Sequence, residues 1–391
     1  MAKLGIERPT FTVDPIRQAA EKESGHRDFG SDSYLPGLEA LLYSIEHESQ
    51  LHFLGRMAIF RQIVAALANR LTVVAWEKAN PDLAAAEIRA PLIVLGLGRT
   101  GTTILQETLA SAPGMRTPLQ WEITNYSLVG TVVDPKTDKR IERIQTDIDR
   151  TDKIVPGFSA IHYYDAFTPS ECIGLTALDM CSEQFSAMAW APTYRDFLLS
   201  HDHRSVYHWH RRALCYLQAS TPTVQWVIKA PTHSAYLDAI LSMYPDAMII
   251  NTHRDPTEVV GSMCSLFATL RRGFSDHVDA VHQGRRDAVY AAQIIQRAVD
   301  FRRGHAEVES QFCDIAFKKF VTDGEGTLAT IYAHFGLDFT AEARAAMLDY
   351  LAGRPREKYG THRYDLAQSG LSIEALAPLF AEYTHRFGAH F

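Results

Sequence analysis

Residues 91–114 read Pro-Leu-Ile-Val-Leu-Gly-Leu-Gly-Arg-Thr-Gly-Thr-Thr-Ile-Leu-Gln-Glu-Thr-Leu-Ala-Ser-Ala-Pro-Gly. Few folds accommodate that run. Leu92, Ile93, Val94 and Leu95 follow one another with no polar residue between them, as in a short parallel strand covered on both faces. Ile104, Leu105, Thr108 and Leu109 recur at helical spacing, and Pro113-Gly114 ends that helix. Between strand and helix stand Gly96, Gly98 and Gly101. Glycines let successive backbone N–H groups converge, and the helix start adds unpaired N–H groups and the positive end of its dipole. Strand, glycine turn and helix together predict an anion site, most simply for a phosphate.

Three chemistries fit such a turn. Gly96-Leu97-Gly98-Arg99-Thr100-Gly101 satisfies the dinucleotide pattern G-x-G-x-x-G. That pattern needs an acidic residue about 20 positions on, at the end of a second strand. Glu122 has the spacing, but Thr117-Pro118-Leu119-Gln120-Trp121 before it does not read as a buried strand. The triphosphatase loop shares the spacing of Gly96 and Gly101 but continues Lys-Ser/Thr, whereas Thr102-Thr103 follow here. In the third chemistry Arg99, Gly101, Thr102 and Thr103 act together, a cation, a tight turn and two hydroxyls suited to a phosphate ester handled without a dedicated magnesium ligand.

The rest of the chain narrows the class. Its 391 residues suffice for a large core, and no linker, repeat or low-complexity run divides them, so one domain is expected over residues 1–391. A formal charge of −7 and a pI near 6.2 argue against a general nucleic-acid binder. Cys172, Cys181, Cys215, Cys264 and Cys313 are widely spaced, as in a protein with reduced thiols in the cytoplasm. No apolar signal core and no membrane-spanning stretch are read from the sequence.

Within residues 1–90, an extended polar arm is expected up to residue 29, followed by two or three helices over 34–80 on one face of the sheet. Residues 91–120 hold the anion loop and its helix. Residues 121–220 are aromatic and helical, with helices around 141–148 and 207–218, and are expected to cover the mouth of the site. In this segment His201, His203, His208 and His210 are read as solvated side chains rather than metal ligands, because H-x-H on a helix does not put both rings on one face.

Residues 221–270 carry the second half of the site. A strand over 224–229 ends on Lys229 and leads into Ala230-Pro231-Thr232-His233, a helix over 234–244 and a strand over 247–252. Strand, helix, strand implies a parallel sheet, whose ligands bind beyond the carboxyl ends of the strands. His253-Arg254-Asp255-Pro256-Thr257-Glu258 then predicts a helix with Asp255 at the N-cap, Pro256 at the first helical position and Glu258 completing a capping box. Arg254 and Ser262 are candidates for a second anion site. Over 271–391 the pattern predicts helices at 281–311, 325–335 and 371–387 and an edge strand at 314–321. The basic aromatic loop 358–364, with Lys358 and His362, is a candidate nucleotide contact.

Two anion sites on one sheet suit a nucleotide with two separated phosphate groups. The sequence resembles the sulfotransferases that use 3′-phosphoadenosine 5′-phosphosulfate (PAPS), above all a bacterial-type branch with an Arg-Ser-Gly-Thr-Thr loop, here Arg99-Thr100-Gly101-Thr102-Thr103. The likeness extends to Lys229-Ala230-Pro231-Thr232-His233, Tyr244-Pro245-Asp246-Ala247 and His253-Arg254-Asp255-Pro256 with Ser262, and fades beyond residue 270. It implies an α/β fold, P-loop-like, with a parallel sheet flanked by helices and a largely helical insertion over the active site. It also implies that residues 99–103 bind the 5′-phosphosulfate and Arg254 with Ser262 the 3′-phosphate, leaving PAP as product without a metal. The acceptor would be a small organic hydroxyl or amine compound, apolar or aromatic, with neither nucleic acid nor membrane as partner. Lys229 and Arg99 would stabilise the leaving oxygen, and His233 or Glu122 would be the general base. The sequence departs from the small-molecule cytosolic branch, whose base follows the lysine as Lys-x-His. A nicotinamide-dependent oxidoreductase and a catalytically silent nucleotide sensor are the competing functions.

Overall fold

The structure, a computed structural model, describes residues 9–156, 158, 164–221, 225–354 and 365–391. Five strands form one sheet in the order β2-β3-β1-β4-β5, every pair parallel. They are β1 (Leu92–Leu95), β2 (Met115–Arg116), β3 (Gln225–Lys229), β4 (Met248–His253) and β5 (Phe312–Ala316). All four residues of β1 and all five of β3 are buried, and the unbroken apolar run of β1 is what a strand covered on both faces requires. β1 lies between β3 and β4, with Val94 opposite Lys229 and Leu95 opposite Asn251. The carboxyl ends of the three central strands therefore open on one rim.

Helices α1 (Val13–Ser24), α2 (Leu35–His47) and α3 (Phe53–Ala79) build the N-terminal part. α1 replaces the expected extended arm: Ile16 and Ala20, one turn apart, are fully buried against α3 and give a polar segment its apolar stripe. These helices share a core with residues 177–206, among them Phe185, Tyr194 and Leu198, and only the end of α3, through Val73 and Val74, joins Ile93 and Leu95 under the sheet. α3 also corrects the expectation that no segment is long and apolar enough to cross a bilayer, since its 27 residues pass that test by length and composition. Most of its apolar window is buried within the protein, and its Arg70 is fully buried in an ion pair with Asp179 at 2.8 Å.

The opposite sheet face is covered by α4 (Thr102–Ala110), which follows β1 directly. Along 121–220 come α5 (Lys139–Ile154) and α6 (Arg204–Ser220), with short helices between them. After β3 the expected single helix is split into a 3₁₀ turn, Pro231–Ala235, and α7 (Leu237–Met243). α8 (Pro256–Arg272) follows β4, and α9 (Ala280–Gly304) packs along it. The strand expected at 314–321 starts and ends earlier, as β5, because pairing with β4 from Ile249 to His253 sets its register and Phe317–Thr322 turns helical. α10 (Gly324–Phe335) matches expectation, whereas α11 (Ala341–Ala352) went unread in the sequence. The helix expected at 371–387 is broken into Ile373–Leu376, Ala377–Phe380 and Ala381–Phe387, with Pro378 in the middle piece.

Candidate active site

The turn after β1 is held in conformations that side chains avoid. Gly96 has φ +135°, Gly101 +82° and, although it carries a side chain, Arg99 has φ +73°. Left-handed backbone at a non-glycine residue stores strain and is found preferentially at functional sites. A Cβ on Gly101 would stand 2.6 Å from the Phe317 ring, so this position requires glycine on two counts. Thr100 is fully buried and braces the turn: its hydroxyl donates to the Leu97 carbonyl at 2.7 Å and lies 2.8 Å from the Thr252 hydroxyl. Its side chain therefore fixes the loop, leaving Arg99 exposed and Thr103 half-buried at the start of α4. The first N–H groups of α4 have no partner within the helix and point at the same turn.

Two cations flank the loop from the neighbouring strands. Lys229, at the end of β3, is 1% exposed; its ammonium donates to the Thr103 hydroxyl at 3.1 Å and pairs with the Glu171 carboxylate. Arg254, just past β4, donates to the Arg99 carbonyl at 3.4 Å and to Glu258 at 3.1 Å, with its guanidinium 5.0 Å from the centre of the Phe317 ring. The capping box expected of Glu258 does not form. Asp255 accepts from the Thr257 N–H at 2.9 Å, and the Glu258 carboxylate turns back to Arg254 instead, an opposite charge one helical turn away. Ser262 is buried on α8. His253 is fixed between Tyr383 and Asp314, each at 2.7 Å.

The two residues expected as general base are both withdrawn from solvent. His233 is 1% exposed, its Nδ1 lies 2.6 Å from the Tyr207 hydroxyl, and burial followed by the nearby His210 and Lys229 charges holds its pKa well below the usual range. Glu122 is 3% exposed; one oxygen pairs with Arg116 and the other accepts the Leu119 N–H at 2.9 Å. Its pKa is raised, because burial outweighs the Arg116 charge. Lys358 and His362 lie outside the described residues. Of the four histidines read as solvated, His208 is exposed, but His203 and His210 overturn that reading. His203 stacks on Tyr236 with ring centres 3.5 Å apart, and His210 is fully buried; burial lowers their pKa values to about 4 and about 3.

The residue that sequence reasoning missed is Glu171. It follows Thr168-Pro169-Ser170, 58 positions before Lys229, and no periodicity or spacing links the two. The Cys172 N–H donates to the Lys229 carbonyl at 2.8 Å, which draws this segment against the end of β3 and sets Glu171 beside the ammonium, its side chain 22% exposed. A cavity lined by Glu183, His203, Tyr207, Thr232, Tyr236 and Tyr290 opens next to the turn after β3.

A parallel sheet whose first strand ends in a strained glycine turn, with cations on both adjacent strands, is an arrangement suited to phosphate or sulfate esters. The chain belongs to the Sulfotransferase family, whose profile matches residues 91–341, more than half of it. Over 158 residues it is 25% identical to the omega-hydroxy-beta-dihydromenaquinone-9 sulfotransferase Stf3 of Mycobacterium bovis and to its counterpart in Mycobacterium tuberculosis, matches that span 40% of this chain and 40% of each relative. Solved structures agree over far more of the chain. Sulfotransferase STF1 from Mycobacterium tuberculosis superposes with a TM-score of 0.83 at 30% identity, over 96% of this chain and 100% of that one. STF9 from Mycobacterium avium superposes with 0.85 at 27% identity, over 98% of each.

Proposed function

We propose that the protein transfers a sulfuryl group from PAPS to a hydroxyl of a small apolar acceptor. One observation carries the reading: Arg254 reaches the carbonyl of Arg99 inside the glycine turn while Lys229 reaches Thr103 from the other side. The donor set fits PAPS. Backbone N–H groups of the turn and of α4, with Arg99, Thr102 and Thr103, would hold the 5′-phosphosulfate, and Arg254 with Ser262 the 3′-phosphate. Glu171 and Glu258, the carboxylates that engage the two cations, are both partly exposed, so anionic groups of a ligand can compete for the same cations.

Transfer is an in-line displacement. The acceptor oxygen forms a bond to sulfur as the bond from sulfur to the bridging phosphate oxygen breaks, releasing PAP, and the acceptor proton passes to a base on the protein. Lys229 stabilises charge developing on the bridging oxygen. Glu171 takes the proton, since it is the carboxylate next to both Lys229 and the donor loop, while Glu122 has both oxygens committed and His233 is buried against Tyr207. The mycobacterial relatives are named for omega-hydroxy-beta-dihydromenaquinone-9, which supports an apolar hydroxyl compound as substrate class here.

Calorimetry with PAP, NAD and ATP, with and without magnesium, tests the donor, and labelled sulfate transfer from PAPS to apolar alcohols and phenols tests the reaction. Tight PAP binding independent of magnesium is expected. Binding of NAD in preference to PAP overturns the reading.

A further inference from the structure

Next to Lys229 the fold assembles a second polar cluster for which sulfuryl transfer has no use. Cys172, at the end of the Glu171 segment, His210, in the middle of α6, and His233, in the turn after β3, are 0%, 0% and 1% exposed. One potential ligand atom from each lies within 4.8 Å of those of the other two. Both imidazoles are oriented by tyrosines: His233 Nδ1 is 2.6 Å from the Tyr207 hydroxyl and His210 Nδ1 is 2.7 Å from that of Tyr244. Both Nε2 atoms, by contrast, are buried without a hydrogen-bond partner among the described residues. Two orphaned ring nitrogens beside one thiol are an unusual cost for an interior, and buried polar atoms of this kind call for a ligand. An Nδ1–H held by an oxygen leaves the Nε2 lone pair free, which is how metal-bound imidazoles are fixed.

We infer that Cys172 Sγ, His210 Nε2 and His233 Nε2 bind a zinc ion, with a water in the fourth position. One sulfur and two imidazoles form a donor set suited to zinc rather than to magnesium or calcium. Zinc bonds of about 2.0–2.3 Å set ligand atoms about 3.5 Å apart, so small side-chain rotations close the cluster. Burial pushes the free Cys172 thiol up to about 12, and coordination replaces its proton, which leaves to solvent, with no change in oxidation state. The ion would be structural. It would tie α6, the turn after β3 and the Glu171 segment together, and so hold Glu171 against Lys229.

The test is metal content, which is independent of donor binding and turnover. Full-length protein produced in zinc-supplemented medium and dialysed against metal-free buffer should retain about one zinc per chain by mass spectrometry. Both Cys172→Ser and His210→Gln should fall below about a tenth of that. Replacement by cobalt(II) should give a thiolate-to-cobalt charge-transfer absorption that Cys172→Ser abolishes. If the variants do not fold, zinc stoichiometry and the cobalt spectrum of the wild type still decide. A wild type without zinc and without the charge-transfer band overturns the inference and assigns the cluster to a bridging water. Zinc fully retained in folded Cys172→Ser overturns it equally. PAP calorimetry on the same preparation reports separately on the sulfotransferase reading.

Discussion

Lys229 and Arg254 flank the same glycine turn from the strands on either side of β1, yet they occupy opposite environments. Lys229 is buried between Thr103 and Glu171, whereas the Arg254 side chain is 30% exposed, lying on the Phe317 ring and paired with Glu258 within its own helix start. Charge interactions weaken where water and salt reach them and strengthen where they do not. The buried cation therefore suits stabilisation of charge that appears during reaction, and the exposed one suits recognition of a charge already present on the ligand. Under the proposed function, the β3 side of the rim would serve chemistry and the β4 side affinity.

That division can be broken most decisively at Glu171. Glu171→Gln keeps the shape and removes the proposed proton acceptor, so turnover at saturating PAPS should fall about 10²–10⁴-fold while PAP affinity, read by calorimetry, changes little. A loss below tenfold returns the proton to His233 or Glu122. Next comes Lys229→Met, with an expected loss of about 10²–10³-fold in kcat and a smaller effect on PAP binding. Arg254→Ala should show the reverse: PAP binding weakened about 10–100-fold, with kcat at saturating donor largely kept. Raising ionic strength should weaken PAP binding in the wild type more than in Arg254→Ala. If Lys229 and Arg254 variants behave alike, the contrast fails.

The smallest effect concerns stability. Burial holds His203 neutral down to about pH 4, whereas in the unfolded chain it takes a proton near 6.5. The unfolded state thus binds the extra proton between these values, and the contribution of His203, complete above pH 6.5, is lost as pH falls towards 4, by about 1.4 kcal/mol per pH unit at most. Urea titrations at pH 7 and pH 5 should show a smaller drop in stability for His203→Phe than for the wild type.

Several of these features were legible in the sequence because they are local. The strand, glycine turn and helix of 91–114 are specified by neighbours within a few residues, as is the cap of Asp255 on α8. Other expectations failed where a distant partner decides. The polarity of residues 13–24 hides a stripe of two buried positions that only α3 makes meaningful, and β5 takes its limits from β4 rather than from its own composition. Histidines 203 and 210 read as surface residues until Tyr236 and Tyr244 close over them. Glu258 obeyed charge rather than the capping pattern, since Arg254 lay one turn away.

What the amino-acid order determined by itself is a glycine turn on a parallel strand and two cations at strand ends, because backbone conformation and burial of short apolar runs are settled by adjacent residues. What the tertiary structure alone decided is the partnership of those groups. Glu171 meets Lys229 across 58 positions, Arg254 meets Arg99 across 155, and Cys172, His210 and His233 converge from three segments. Contacts of that range depend on how strands order in the sheet and how helices pack behind it, and neither is written in the spacing of the residues that finally touch.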